Sequence, residues 1–252
     1  MLITSIRISY SAYASYKSCP LRYYYERSYP LRGPVYADFL IGNYLHEYFY
    51  SLLEGNDIDV EAEYVWNNMK STYKMIHQDE LREDFDSLEY LMDYYSSLQN
   101  SMVMWRSEKE YIEKIRKGLN NARELAENLK IEDFETERWM NAKIDHVDIY
   151  GRFDIMMDGE IIDIKTGGEW ESDITQMEFY ALIYYLNKYI IPRGRLIYLL
   201  SGKIKPIKFN LKSLESLLTD ILNVGEKIEK REFPPNIGDH CKLCPYRVVC
   251  RF

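Results

Sequence analysis

The sequence predicts an α/β fold, with a sheet core entered through a helical stretch and closed by a cysteine-bearing tail. Three observations carry the prediction. Helical spacing runs from residue 36 to 129, and the texture changes to strand-like segments at Phe134. The chain then returns to helix, strands and helix with no Gly/Ser linker or internal repeat to divide it.

Taken in order, residues 36–54 form the first clear helix. Phe39, Leu40, Tyr44, Leu45, Tyr48, Phe49 and Leu52 recur at helical spacing, and Gly55 stops the run. Further helices are expected at about 59–76, 79–99 and 103–129, each charged on one side and apolar on the other. FETERWM, KIDHVDIYGRFDIMM and EIIDIK then read as strands, with Asp158-Gly159 as a two-residue hairpin turn between the last two. Residues 171–188 return to helix until Pro192 and Gly194 break it. RLIYLL and KIKPIKFN are two more strands, 211–231 is a last helix, and Pro234-Pro235 opens the tail. This order suggests one domain over 1–252, made of a helical portion (36–130), a sheet core (131–210) and a tail (234–252).

With 252 residues, 46% of them hydrophobic, the chain can bury one generous core or two smaller ones. No apolar run approaches the roughly 20 residues of a membrane span. MLITSIRISYS lacks the apolar core of a secretory signal, so a soluble cytoplasmic protein with no membrane partner is expected. The net charge of −8 argues against nonspecific coating of nucleic acid. It does not exclude a nucleic-acid enzyme, whose metal-holding carboxylates concentrate negative charge. The 24 tyrosines suit helix edges, with their hydroxyls reaching water; stacking on single-stranded bases is the sharper alternative.

The chemistry concentrates in GRFDIMMDGEIIDIK. Asp163 and Lys165 are two apart on one strand and share a face. A hairpin turning at 158–159 brings Asp154 alongside them. Two carboxylates and an ammonium then converge, the donor set that a hard divalent ion such as Mg²⁺ prefers. An ordinary salt-bridged hairpin would carry the same residues, so the pair needs company. It has some. Gly42 and His46 are four apart on the first helix, Gln176 and Tyr180 four apart on a later one, and Glu135 and Glu137 precede the hairpin.

In order, Gly42-Asn43-Tyr44-Leu45-His46, Glu137, Gly151-Arg152-Phe153-Asp154, Asp163-Ile164-Lys165 and Gln176-Met177-Glu178-Phe179-Tyr180 resemble the motifs of the RecB-like branch of the PD-(D/E)XK nucleases: GxxxH, a glutamate, GxxD, DxK and QxxxY. The match departs in one respect: no proline precedes Asp154. The resemblance implies a restriction-endonuclease-like mixed central sheet flanked by helices, with a helical insertion. It also implies a metal-dependent DNA nuclease. On this analogy His46, Asp154, Asp163 and the Ile164 carbonyl bind Mg²⁺ or Mn²⁺, with Glu137, rather than Glu135, as a further carboxylate. Lys165 is then catalytic together with Asp154 and Asp163, while Gln176 and Tyr180 orient the site or contact DNA.

The tail spacing is C-x2-C-x5-C at Cys241, Cys244 and Cys250, and Cys19 is the fourth thiol. Four thiolates suit tetrahedral zinc or an iron–sulfur cluster, and spacing leaves both open; His240 could complete a zinc site without Cys19. The CPLRYYY context of Cys19 and the CxxC…C tail after FPP resemble the iron–sulfur subgroup of RecB-like nucleases, which includes the fourth CRISPR-associated (Cas) protein family. That resemblance implies a 4Fe–4S cluster on Cys19, Cys241, Cys244 and Cys250, stapling the chain ends together. A cross-link over such a span stabilises by about 5 kcal/mol in the chain-entropy model.

The chain has no GxxxxGK(S/T) phosphate loop, so no motor of its own, which favours single-stranded or end-processed DNA as substrate. The tyrosine-rich segments with Arg22, Arg27 and Arg32 could grip that strand. The implied partners are DNA and either a helicase or CRISPR spacer-integration proteins, in antiviral defence or in recombination and repair. The competing expectation is a catalytically silent DNA-binding or scaffolding subunit.

Overall fold

The computed structural model describes residues 5–56, 58–129 and 131–251. Residues 1–4 of the segment read for a leader, and Phe252 of the tail, lie outside the described residues. The chain opens with β1 (Ile6–Ser9), α1 (Tyr10–Ser18) and α2 (Pro20–Ser28). Ser9 caps α1 by accepting from the Ala12 N–H, supplying a partner that the helix start lacks. Pro20 stands at the first position of α2, where its missing N–H costs nothing. A proline also pushes its predecessor out of helical geometry, and Cys19 is extended at φ −158° and ψ 111°. The Cys-Pro pair thus makes a corner between two helices with the thiol at its apex.

Next come β2 (Val35–Tyr36), α3 (Ala37–Leu53), α4 (Ala62–Thr72), β3 (Lys74–His77), α5 (Leu88–Ser97), β4 (Ser101–Met104) and α6 (Glu108–Asn128). The three helices expected over 59–129 are therefore interrupted by strands. KMIH and SMVM pair in parallel, and β4 with β2, in a small sheet ordered β2-β4-β3. Every residue of β4 is buried. A strand buried on both faces reads as a short apolar run, which periodicity cannot tell from a buried helical turn.

The main sheet is built from β1, β5 (Glu135–Ile144), β6 (Val147–Met157), β7 (Glu160–Lys165), β8 (Arg193–Tyr198) and β9 (Lys203–Lys208). Its remaining helices are α7 (Glu171–Lys188) and α8 (Leu211–Glu229). The expected hairpin turns at Asp158-Gly159, with Gly159 at φ 74°, a conformation glycine reaches without strain. KIDHVDIYG does not run as one strand, because Asp145 adopts φ 52° and turns β5 into β6. Strand pairing is mixed: β1–β6 and β7–β8 are parallel; β5–β6, β6–β7 and β8–β9 are antiparallel.

Helices cover the sheet from two sides. One core joins Ile149, Phe153 and Leu196 to α1, α7 and α8. The other joins Ile155, Ile162, Ile164 and Ile197 to α3, α4, α6 and β4. This is a mixed central sheet flanked by helices. A third, small cluster packs Phe85 and Leu91 against Tyr246 of the tail, with Tyr25 of α2 at its edge. Among the described residues no helix is long and apolar enough to cross a membrane.

Candidate active site

Strand β6 is longer than the strands beside it, and that mismatch makes the site. β5 runs along one edge of it, from Ile144↔Val147 to Glu135↔Met156. The other edge is shared: β1 pairs with residues 147–150, and β7 pairs with 155–157. Gly151-Arg152-Phe153-Asp154 therefore lies in a fork between β1 and β7. At the same place β6 passes from one helical layer to the other, since Phe153 packs with α7 and Ile155 with α3.

Continuing the β6–β7 register past Ile155↔Ile162 sets Asp154 opposite Asp163. The ladder stops there, and the Ile164 N–H that it leaves is donated instead to Asp154 Oδ2 at 2.7 Å. That bond aims the Asp154 carboxylate at the end of β7. Asp163 is 3% exposed, and its Oδ2 lies 2.8 Å from Lys165 Nζ. The contact is an ion pair without hydrogen-bond alignment, so this buried oxygen has no hydrogen-bond donor.

Each helical layer adds side chains. From α3, His46 Nδ1 stands 4.0 Å from Asp154 Oδ2. Gly42, one turn earlier, permits the approach: a Cβ there would sit 2.7 Å from Thr166 Oγ1, just past β7. One turn later, Tyr50 donates to Glu137 Oε1 at 3.1 Å, and Glu137 also pairs with Arg152. From α7, Gln176 Oε1 accepts from Lys165 Nζ at 2.8 Å, while Gln176 Nε2 donates to the Tyr180 hydroxyl at 3.0 Å. The Tyr180 ring lies on Gly151, where a Cβ would come within 2.7 Å of Cε1, and against Phe153 at 4.9 Å. Both motif glycines are thus spacers that let a helix-borne group reach the fork.

Burial dominates the electrostatics. It pushes the Asp163 carboxyl well above the usual carboxylate range; the charge of Asp154 adds to the rise and Lys165 opposes it. Asp154 is raised mainly by burial too, against the Ile164 N–H and Lys165. Burial also holds the His46 imidazole below its ordinary value and keeps the Tyr50 and Tyr180 hydroxyls protonated far above neutrality. A neutral imidazole with its lone pair free is the form that ligates metal.

Among the described residues, no group of three or more His, Cys, Asp or Glu is close enough to hold a metal ion as it stands. The donor chemistry nonetheless fits a hard divalent cation. Two facing carboxylates are charged only at a cost, one of their oxygens has no hydrogen bond, and an imidazole stands beside them.

The other sequence-predicted positions divide. Glu137 joins the cluster through Tyr50 and Arg152; at φ 55° it breaks strand alternation, so Glu135 does not share its face. Glu135 pairs with Arg138 and lines a separate recess beside Met156 and Asp158. The Ile164 side chain is buried in the α3 layer. Tyr50 was not foreseen, although its position four residues after His46 on the same helix face was a legible signal.

The four thiols come together at another place. Cys19, Cys241, Cys244 and Cys250 line one cavity of about 40 Å³, with Arg22 and Arg247 in its wall. None is in a disulfide. The tail is pinned to α2 by Tyr246, which stacks on Tyr25 at 5.3 Å and donates to the Tyr29 carbonyl at 2.8 Å. Asn236 donates to the Ser18 carbonyl at 2.7 Å and, through its backbone, to Cys19 Sγ at 3.4 Å. Most of the nearby aromatic run packs inward: Tyr16 and Tyr23 are buried, and Arg22 pairs with Glu26.

No curated protein matches the sequence. Among solved structures, a candidate exonuclease from Eubacterium rectale superposes with a TM-score of 0.56 at 13% identity, over 98% of this chain and 90% of that one. A second, SSO0001, reaches a TM-score of 0.43 at 14% identity, over 97% and 85%. At these identities the first likeness speaks to fold and the second carries no argument. The family model of the PD-(D/E)XK nuclease superfamily matches residues 7–251, a span holding the forked sheet and every acid around it. The chain belongs to the PD-(D/E)XK nuclease superfamily.

Proposed function

We propose that this nuclease is a DNA exonuclease that hydrolyses phosphodiester bonds at single-stranded or frayed ends, using Mg²⁺ or Mn²⁺. The observation that carries the reading is the meeting of Asp154, Asp163 and Lys165 in the fork of the sheet, with His46 beside them. Asp154, Asp163, His46 and the Ile164 carbonyl would hold the ion. When bound, the ion would supply Lewis-acid chemistry, lowering the pKa of a water and offsetting phosphate charge.

The residues of the chain do the rest. Asp163 and Gln176 fix the Lys165 ammonium from two directions, and Tyr180 fixes Gln176 in turn. An ammonium has three protons and Gln176 takes one, which leaves Lys165 able to orient the attacking water or to meet a non-bridging phosphate oxygen as negative charge builds. Attack in line with the departing sugar oxygen then breaks the P–O bond. Glu137, held by Tyr50 and Arg152, would stand by as a further carboxylate toward the ion.

The cysteine cavity is proposed to hold a 4Fe–4S cluster. Four soft donors face one space, and the two arginines in its wall suit the negative charge of a thiolate-ligated cluster. The same reading places the protein in the cytoplasm, in CRISPR spacer acquisition or in recombination and repair, where a helicase or integration proteins supply the ends.

The test is digestion of end-labelled single-stranded DNA with Mn²⁺ by wild type and Lys165→Ala. Degradation by the first and not the second is expected. Equal digestion by both, or none by wild type with either metal, contradicts the reading. For the tail, anaerobic protein should carry about four iron atoms per chain; a colourless preparation with stoichiometric zinc defeats the cluster.

A further inference from the structure

The sheet face beside the fork is not covered by either helical layer, and it carries an unusual set of side chains. Trp139 of β5 is 62% exposed and stacks on Tyr150 of β6, centroids 6.2 Å apart and planes 26° from parallel. The Arg7 guanidinium of β1 lies over the Tyr150 ring at 4.4 Å. Strand register explains the assembly, because Trp139 pairs with Arg152 and Tyr150 pairs with both Asn141 and Ser9. A tryptophan that packs against its neighbour, yet keeps most of its surface in water, has no role in the core.

This aromatic step forms one wall of a groove of about 320 Å³ whose other walls include Ser9, Tyr10, Gln176 and Tyr180. Gln176 holds Lys165, so the groove runs directly into the fork. Its charge is distinctive in a chain of net charge −8. Among the described residues lining it, Arg152 is the only charged side chain, and no carboxylate is present. Arg7 and Arg152 both have acidic partners, Asp148 and Glu137. In each pair the acid is the more buried member, at 16% and 35% exposed, and the arginine the more exposed, at 64% and 54%. Positive charge therefore faces outward from both.

We propose that this groove is the entry path of a single DNA strand, with a nucleobase stacked on Trp139 and the backbone passing Arg7 and Arg152 towards Lys165. The inference rests on the nuclease reading and adds to it an entry path and a base-binding residue. Rings presented singly beside cations suit unpaired bases, whose faces are free, whereas in a duplex those faces are already stacked. A groove ending at the acids would deliver the next phosphate to the site. The strand, not a protein partner, is the occupant this charge arrangement favours.

The test is fluorescence anisotropy in EDTA, where no cleavage occurs, with three labelled probes: oligo-dT, an abasic strand of equal length, and a blunt duplex. Trp139→Ala should weaken oligo-dT binding about tenfold, and Trp139→Phe should restore most of it. Neither substitution should change binding of the abasic strand. Equal oligo-dT affinity of wild type and Trp139→Ala overturns the proposal, and so does an equal loss on the duplex or the abasic strand. Thermal melting checks that the exposed substitution leaves the fold intact. Binding and cleavage fail separately. Protein that binds oligo-dT through Trp139 but digests no DNA contradicts the nuclease reading alone.

Discussion

The molecule gathers acids at the fork and thiols at the tail, and the two clusters are built in opposite ways. The acids of the fork are set by the sheet: strand register opposes Asp154 and Asp163, a freed backbone N–H donates to Asp154, and Lys165 donates to Gln176 of α7. The thiols have no sheet beneath them. A proline-made corner and a tail held by Tyr246 and Asn236 bring them to one cavity. The first cluster is a product of the fold, so on the proposed reading an ion there would serve chemistry and not structure. The second joins Cys19 to the tail, so on the proposed reading its occupant would contribute to the fold itself.

The largest effect that separates the two is on turnover. Lys165→Ala should lower cleavage by at least about a hundredfold at a small cost in melting temperature, because Asp163, whose carboxyl pKa burial already raises, can take a proton when its ammonium partner is lost. Cys19→Ser should do the reverse: stability should fall by up to about 5 kcal/mol, seen as a lower denaturation midpoint and as protease cutting of the tail. If Cys19→Ser protein lost activity at full stability, the contrast between the clusters would collapse.

Smaller effects sharpen the picture of the fork. Gly151→Ala should displace the Tyr180 ring and destabilise by about 1–3 kcal/mol, with a loss of turnover that Tyr180→Phe alone does not match. The acid pair predicts a pH dependence. Folding raises both carboxyl pKa values, so between the ordinary carboxylate value and the raised one the folded state holds more protons than the unfolded. Stability of the metal-free protein should therefore fall as pH rises through that window. Asp154→Asn keeps an oxygen for the Ile164 N–H and removes the repulsion. Without metal it should melt higher than wild type at about pH 8, by about 1 kcal/mol, and no higher at about pH 5. A wild-type melting temperature that rises over that range contradicts the sign.

Much of this was legible in the sequence, for a definite reason. Asp154, Asp163 and Lys165 lie on one hairpin, so period-two alternation and the Asp158-Gly159 turn suffice to bring them together. Gln176–Tyr180 and Gly42–His46 follow from helical spacing. The fork was not legible, because it arises from β1 and β7 sharing one edge of β6, a pairing between segments more than a hundred residues apart. The small parallel sheet escaped because its strands are only two to four residues long, too short to show a period. Alternation alone gives Glu135 and Glu137 the same face, so the choice of Glu137 rested on motif resemblance, and the positive φ of Glu137 is what physically separates the two. The tyrosines near Cys19 turned out to pack inward, while the open aromatic step lies at Trp139 and Tyr150, on a face that only the sheet assembles.

The central claim is that the fork binds a divalent ion through Asp154 and Asp163. Calorimetric titration of Mn²⁺ into metal-free wild type and Asp163→Asn, each in buffers of different ionisation enthalpy, tests it directly. Wild type should bind Mn²⁺ with release of protons, more tightly as pH rises, and Asp163→Asn should lose both the binding and the proton release. Equal Mn²⁺ affinity in the two proteins, with no protons released, would place the ion elsewhere and contradict the account.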